Sequence, residues 1–181
     1  MSQLSAEEEM LRYPVGRYRP AAQVTAEQRA QWLDELAAFP GFLKQAVAGL
    51  SQEQLDTPYR TGGWTPRQVV HHLADSHMNS YMRFRHALTE DAPVIKPYDE
   101  ARWAELTDAK SGPADLSLGI LEHLHARWVL LLRGFSDIEF ARVFRHPERG
   151  EARLDTMLGL YAWHGRHHLA QIENLRKRNN W

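Results

Sequence analysis

Thr65-Pro-Arg-Gln-Val-Val-His-His-Leu-Ala-Asp-Ser-His-Met-Asn-Ser-Tyr-Met-Arg-Phe-Arg-His-Ala-Leu88 holds the clearest helix start in the chain and the first of its histidine clusters. Thr65 can cap, Pro66 suits the first helical position, where its missing N–H costs nothing, and Gln68 completes a capping box. At about 100° per residue, Val69, Val70, Leu73, Tyr81, Phe84 and Leu88 share one apolar stripe. The spacing therefore predicts a long amphipathic helix to about Leu88. On this wheel His71 falls almost opposite the stripe and reads as a surface residue. His77 lies within the stripe. His72 lies on its edge, in a polar strip with Gln68, Ser76, Asn79 and Arg83 that would line a cleft.

Outward from this helix the pattern repeats. N-terminal to it, the first twenty or so residues, through Tyr13-Pro-Val-Gly-Arg-Tyr-Arg-Pro20, read as an extended surface run. Thr25 can cap a helix through Trp32, Leu36, Leu43 and Val47, kinked at Pro40 and ended near Gly49. Ser51 to Gly63 reads as a turn of helix and a loop. C-terminal to it come a loop from Asp91 to Pro97, a short helix from Asp99 to Leu106, and a break at Gly112-Pro113. A third long helix should span Asp115 to Arg133 before Gly134. Phe140 to Leu154 suits a small hairpin or an irregular excursion. Asp155 can cap a last helix carrying Met157, Tyr161, Ile172 and Leu175 down to about Arg178. Four long amphipathic helices with little strand signal predict an all-α four-helix bundle.

The chain has 181 residues, 43% of them apolar, enough for one continuous core, so residues 1–181 read as a single domain. Lysine and arginine total 22 against 23 acidic residues, for a net charge of −1, and no basic stripe offers itself to nucleic acid. Cysteine is absent, which excludes disulfides, thiolate ligands and a cysteine nucleophile, and suits a reducing compartment. The acidic N-terminus is unlike a signal peptide, and no apolar run is long enough to span a bilayer. A cytoplasmic protein without membrane or nucleic-acid partners is expected.

Ten histidines are present, and six fall in two clusters, His71, His72 and His77, then His164, His167 and His168. His164 and His168 lie one turn apart inside the apolar stripe of the last helix, while His167 sits on its flank. Each buried imidazole needs a polar partner, and a shared metal ion supplies one for both. Periodicity alone does not choose between His72 and His77 as a third ligand. His125, in a seam with Leu118, Leu121, Trp128 and Leu132, suits a hydrogen-bond partner, a substrate contact or a packing residue. A three-imidazole site keeps positions open for water or substrate, and imidazole suits zinc, nickel, iron and copper alike. No His-Glu-x-x-His arrangement or inward carboxylate names a general base.

The stretch from Asp56 to Tyr81, including Gly62-Gly-Trp-Thr-Pro-Arg-Gln-Val-Val-His-His72, resembles the YfiT family of the DinB-like superfamily, whose members are described as metal-dependent hydrolases. Tyr13-Pro-Val-Gly16, Pro97-Tyr-Asp-Glu100, Leu124-His-Ala-Arg-Trp128 and Leu158 to Ile172 carry the resemblance along the chain. It implies a four-helix bundle, a homodimer, and one divalent ion per chain, zinc or nickel, held by His72, His164 and His168. Related members resemble thiol transferases, including bacillithiol S-transferases. Two activities on a small-molecule substrate are therefore expected alternatives: hydrolysis by metal-activated water, or transfer of a low-molecular-weight thiol to an electrophile, with Arg83 or Asn79 holding the thiol's carboxylates.

Overall fold

The structure, a computed structural model, describes residues 5–181. The expected extended N-terminal run holds a short helix, α1 (Ala6–Arg12), because Ser5 and Glu8 exchange side-chain and backbone hydrogen bonds in a capping box and Glu7, Glu8 and Glu9 favour the first turn. The part of that expectation covering Met1 to Leu4 lies outside the described residues.

Thr25 and Gln28 box the start of α2 (Ala26–Val47), which runs on through Pro40. A short α3 (Gln52–Leu55) precedes α4 (Pro66–Thr89), which opens at Thr65, Pro66 and Gln68 as the sequence predicts. After α5 (Glu100–Trp103) comes a helix the sequence did not suggest, α6 (Thr107–Ser111), then α7 (Ala114–Arg133) and α8 (Asp137–Phe140). Strands β1 (Val143–His146) and β2 (Gly150–Arg153) form an antiparallel hairpin with Val143 opposite Arg153 and His146 opposite Gly150. Arg142 ties the hairpin to the end of α4 through the Ala87 and Glu90 carbonyls.

The last helix, α9 (Leu154–Asn179), starts one residue before the expected cap. Its N-cap is Arg153, still paired in β2, so Asp155 lies inside the first turn. There its carboxylate takes the Arg153 guanidinium at 2.7 Å and the Thr156 N–H at 2.6 Å.

The long helices form an all-α four-helix bundle in the ring order α2, α7, α4, α9, so the consecutive long helices α2 and α4 lie across the diagonal. The α2–α9 side is the tightest. A Cβ on Gly159 would lie 2.8 Å from the Trp32 ring, and one on Gly165 would lie 2.9 Å from the Phe39 ring. Only hydrogen there lets the helices approach so closely. The α4–α9 side is the loosest of the four. One apolar cluster gathers around Trp128, Phe84 and Leu158, the other around Leu43, Leu73, Leu121 and Ile172. Full burial of each such side chain contributes about 1.5–3 kcal/mol. Among the described residues, no helix is long and apolar enough to cross a membrane.

Candidate metal centre

The α4–α9 side is loose because it holds imidazoles instead of interlocked aliphatic side chains. The capping box fixes the start of α4, and the loop before it is closed by the Tyr59 N–H on the Trp64 carbonyl at 3.0 Å. His72 then lies in the second turn of α4. The Trp64 indole covers it at 4.6 Å between ring centroids and stacks 6.2 Å from His168. His164 and His168, one turn apart on α9, complete the group. Each of His72, His164 and His168 offers one ring nitrogen, and those atoms lie within 4.8 Å of one another. No carboxylate joins them among the described residues.

The choice between His72 and His77 is geometric. His72 Nε2 meets His164 Nε2 at 3.2 Å, whereas His77 approaches His164 from behind, its Nε2 lying 3.2 Å from His164 Nδ1. His77 Nδ1 in turn lies 2.7 Å from His125 Nε2, and His125 Nδ1 lies 2.6 Å from the Leu36 carbonyl. His77 and His125 thus belong to a buried hydrogen-bonded row behind the three-histidine group. On the other flank, His168 Nδ1 lies 2.8 Å from Gln171 Oε1. The amide nitrogen of Gln171 donates to the Arg12 carbonyl and to His167 Nε2, each at 3.1 Å.

All of these rings are held neutral. Burial pushes His72 down to about 4, with the His167 ring adding to the effect. Burial likewise takes His125 to about 4, against the opposing hydrogen bond to Leu36, and sends His77, His164 and His168 well below the ordinary value. Neutral imidazole is the form that ligates a metal. The 3.2 Å between the two Nε2 atoms matches a tetrahedral edge of about 3.3 Å for zinc–nitrogen bonds of about 2.0–2.1 Å, with both nitrogens unprotonated as ligation requires. The donor set fits a divalent ion.

One sequence expectation fails here. His71 is buried, not exposed: its rings nitrogens meet Ser117 Oγ at 2.7 Å and the Gly112 carbonyl at 3.2 Å, because α7 and the α6–α7 turn cover that face of α4. His167 is buried as well, beneath Tyr13 and Trp163, though outside the three-histidine group. The polar strip divides. Gln68 is used on the Ala104 carbonyl and Asn79 on the Asp75 carbonyl, whereas Ser76 and Arg83 reach the cavity.

That cavity, about 550 Å³, opens onto His72, His164 and His168. Tyr161 borders it and donates to the Ser76 carbonyl at 3.2 Å. Tyr98 borders it too, its phenol pushed up by burial against a hydrogen bond from Ser76. Arg12, Arg60, Arg83 and Arg149 line the walls, and none of them pairs with a carboxylate among the described residues. Arg83 Nε is buried without a partner. Burial, with the charges of Arg83 and Arg149, lowers the His146 imidazole at the same wall. Glu100 and Glu148 are the acidic residues of the lining.

Residues 36–172, spanning all three histidines, match the DinB superfamily. The chain belongs to the DinB superfamily. A Bacillus cereus member is 55% identical over 171 residues, covering 94% of this chain and 98% of its own, and is named "Putative metal-dependent hydrolase". Members from Bacillus thuringiensis, at 55%, and Bacillus mycoides, at 53%, carry the same description over the same coverage. Among solved structures, YfiT from Bacillus subtilis superposes with a TM-score of 0.93 at 51% identity, covering 95% of this chain and 99% of that one. It is described as "a probable metal-dependent hydrolase with an unusual four-helix bundle topology". A second four-helix bundle protein, 23% identical with a TM-score of 0.53, shares the fold.

Proposed function

We propose that this DinB-superfamily member is a metal-dependent hydrolase of small molecules that carry an anionic group. His72, His164 and His168 would hold one divalent ion, zinc or nickel, through their Nε2 atoms. The convergence of three neutral imidazoles on one cavity, with no carboxylate among them, carries this reading. Bound there, the ion would act as a Lewis acid, polarising an electrophile and making water nucleophilic near neutral pH. Trp64 shields one side of the histidine group. The unpaired arginines would draw in and orient an anionic substrate, since clustered like charge in a low-dielectric cleft focuses its field. Arg60 and Arg83 each bury an Nε without a protein acceptor, and Arg83 is the foremost because Arg60 already donates through Nη1 to the Thr61 carbonyl at 2.9 Å. Homodimeric assembly and cytoplasmic residence are part of this reading; the first rests on the family resemblance, the second on the absence of cysteine, which suits a reducing compartment.

The test is a turnover screen of metal-free and metal-loaded protein against carboxylate-bearing esters and amides and their neutral analogues. Metal-dependent hydrolysis selective for the anionic compounds supports the proposal. The same arginines would also hold a thiol bearing carboxylates, so each assay is repeated with a small cellular thiol and an alkyl halide. Metal-dependent thioether formation, without hydrolysis of any ester or amide, would replace the hydrolase reading by thiol transfer.

A further inference from the structure

We infer that Pro40, remote from the cavity, is a positioning residue for the three-histidine group: it leaves the Leu36 carbonyl free to anchor the His125–His77 row, which fixes the proton of His164 on Nδ1 and points a bare Nε2 toward His72. The inference concerns the metal-free fold and deepens the metal-site reading given above.

The chain of reasoning starts in α2. In an α-helix the N–H of residue 40 would bond the carbonyl of residue 36. Proline has no N–H, and its ring crowds that same carbonyl. The Leu36 carbonyl is thereby released from the ladder of α2, and His125 Nδ1 reaches it at 2.6 Å. A carbonyl only accepts, so His125 carries its proton on Nδ1. His125 is 1% exposed and His77 fully buried, and their partners are a carbonyl and other imidazoles with no carboxylate among them, so each ring carries a single proton. His125 Nε2 is then an acceptor, and His77 Nδ1, at 2.7 Å, must donate to it. His77 Nε2 is left as an acceptor for His164 Nδ1–H at 3.2 Å. The opposite direction of donation would set the lone pair of His125 Nδ1 against that of the carbonyl. One acceptor at the far end thus orders three rings in succession, and hydrogen bonds of this kind fix the tautomer and orientation of metal-ligating histidines.

The test uses the full-length, metal-free protein with ¹⁵N-labelled histidine, in which long-range ¹H–¹⁵N correlations report which nitrogen of His164 bears the proton. Pro40→Ala restores an N–H that competes for Leu36, and His125→Leu removes the donor altogether. His125→Gln is the rescue, because its amide can donate to Leu36 while its carbonyl accepts from His77. Native protein and His125→Gln should show His164 protonated on Nδ1 alone. Pro40→Ala and His125→Leu should show a mixture of tautomers, and zinc affinity, read by chelator competition, should fall about tenfold to a hundredfold. Pro40→Ala should melt no lower than native, since alanine suits a helix interior better than proline, so a purely structural role for Pro40 would move melting and leave the tautomer alone. An unchanged His164 tautomer in both Pro40→Ala and His125→Leu overturns the inference; should His125→Leu fail to fold, an unchanged tautomer in Pro40→Ala does so. If native protein binds no zinc, the metal-site reading fails, while the tautomer measurement still decides this one.

Discussion

Gln171 holds His168 in a single orientation: Oε1 lies 2.8 Å from His168 Nδ1, and the amide cannot turn over because its nitrogen is committed to the Arg12 carbonyl and to His167 Nε2. The Arg12 carbonyl accepts only, which places the amide nitrogen on that side and makes His167 Nε2 an acceptor as well. His168 Nδ1 must then donate, leaving its Nε2 bare on the side of His72 and His164. The side chain that orients a ligand candidate also fastens the N-terminal segment to α9.

Gln171→Leu should therefore fail in two ways at once. It strips the acceptor from His168, which should weaken zinc binding about tenfold to a hundredfold. It also strands two acceptors, at Arg12 and His167, which should cost about 1–3 kcal/mol. Chelator competition and denaturant unfolding measure the two effects separately. A variant with native zinc affinity would remove Gln171 from the site.

Replacing His72, His164 or His168 singly by alanine should abolish metal retention. His71→Ala should retain the metal yet lose about 1–3 kcal/mol of stability, because the Ser117 hydroxyl and the Gly112 carbonyl lose their buried partner. Elemental analysis of each purified variant, paired with its melting curve, distinguishes the two classes. Full metal in His72→Ala would disprove the ligand set.

Arg83→Met should leave folding and metal content intact, since Arg83 has no ion-pair partner to lose among the described residues. KM for an anionic substrate should rise about tenfold or more, the value of one charge-assisted hydrogen bond, with KM for its neutral analogue unchanged. Equal effects on both substrates would argue against anion recognition at this wall.

Burial and the nearby Asp108 push the Asp75 carboxyl up to about 6. The unfolded chain releases that proton near pH ~3.9, so the folded state binds more protons between those values and stability falls as pH rises from about 4 through about 6. Asp75→Asn should remove this penalty. It should melt above native at about pH 7.5 and converge with native at about pH 4. Melting curves across that range check the sign, and an offset independent of pH would refute it.

Local signals were legible wherever the determinant is local. The Thr25–Gln28 and Thr65–Gln68 boxes start their helices as read, and Ser5–Glu8 is the same signal, able to reveal α1 to a reader who gives it weight over the prolines that follow. The helical wheel places His164 and His168 together because their spacing is a property of one helix. It misplaces His71, and does not reveal that the flanking His167 is covered, because their covers, the α6–α7 turn and the N-terminal segment, come from elsewhere in the chain. The need for glycine at 159 and 165 comes from Trp32 and Phe39, which α2 sets against them and which no local pattern shows. Pro40 reads as a kink; that it frees an acceptor for His125 depends on how α2 and α7 meet.

The ring order also sets a timetable. His72 and His164 are 92 residues apart, and α9 is the last long helix to be made, lying on α2 and α4, which are made first. A ribosome must therefore have made α9 before any two members of the histidine group can meet. During synthesis the histidine group therefore assembles together with the apolar core, to which α9 contributes Leu158 and Ile172, and not ahead of it.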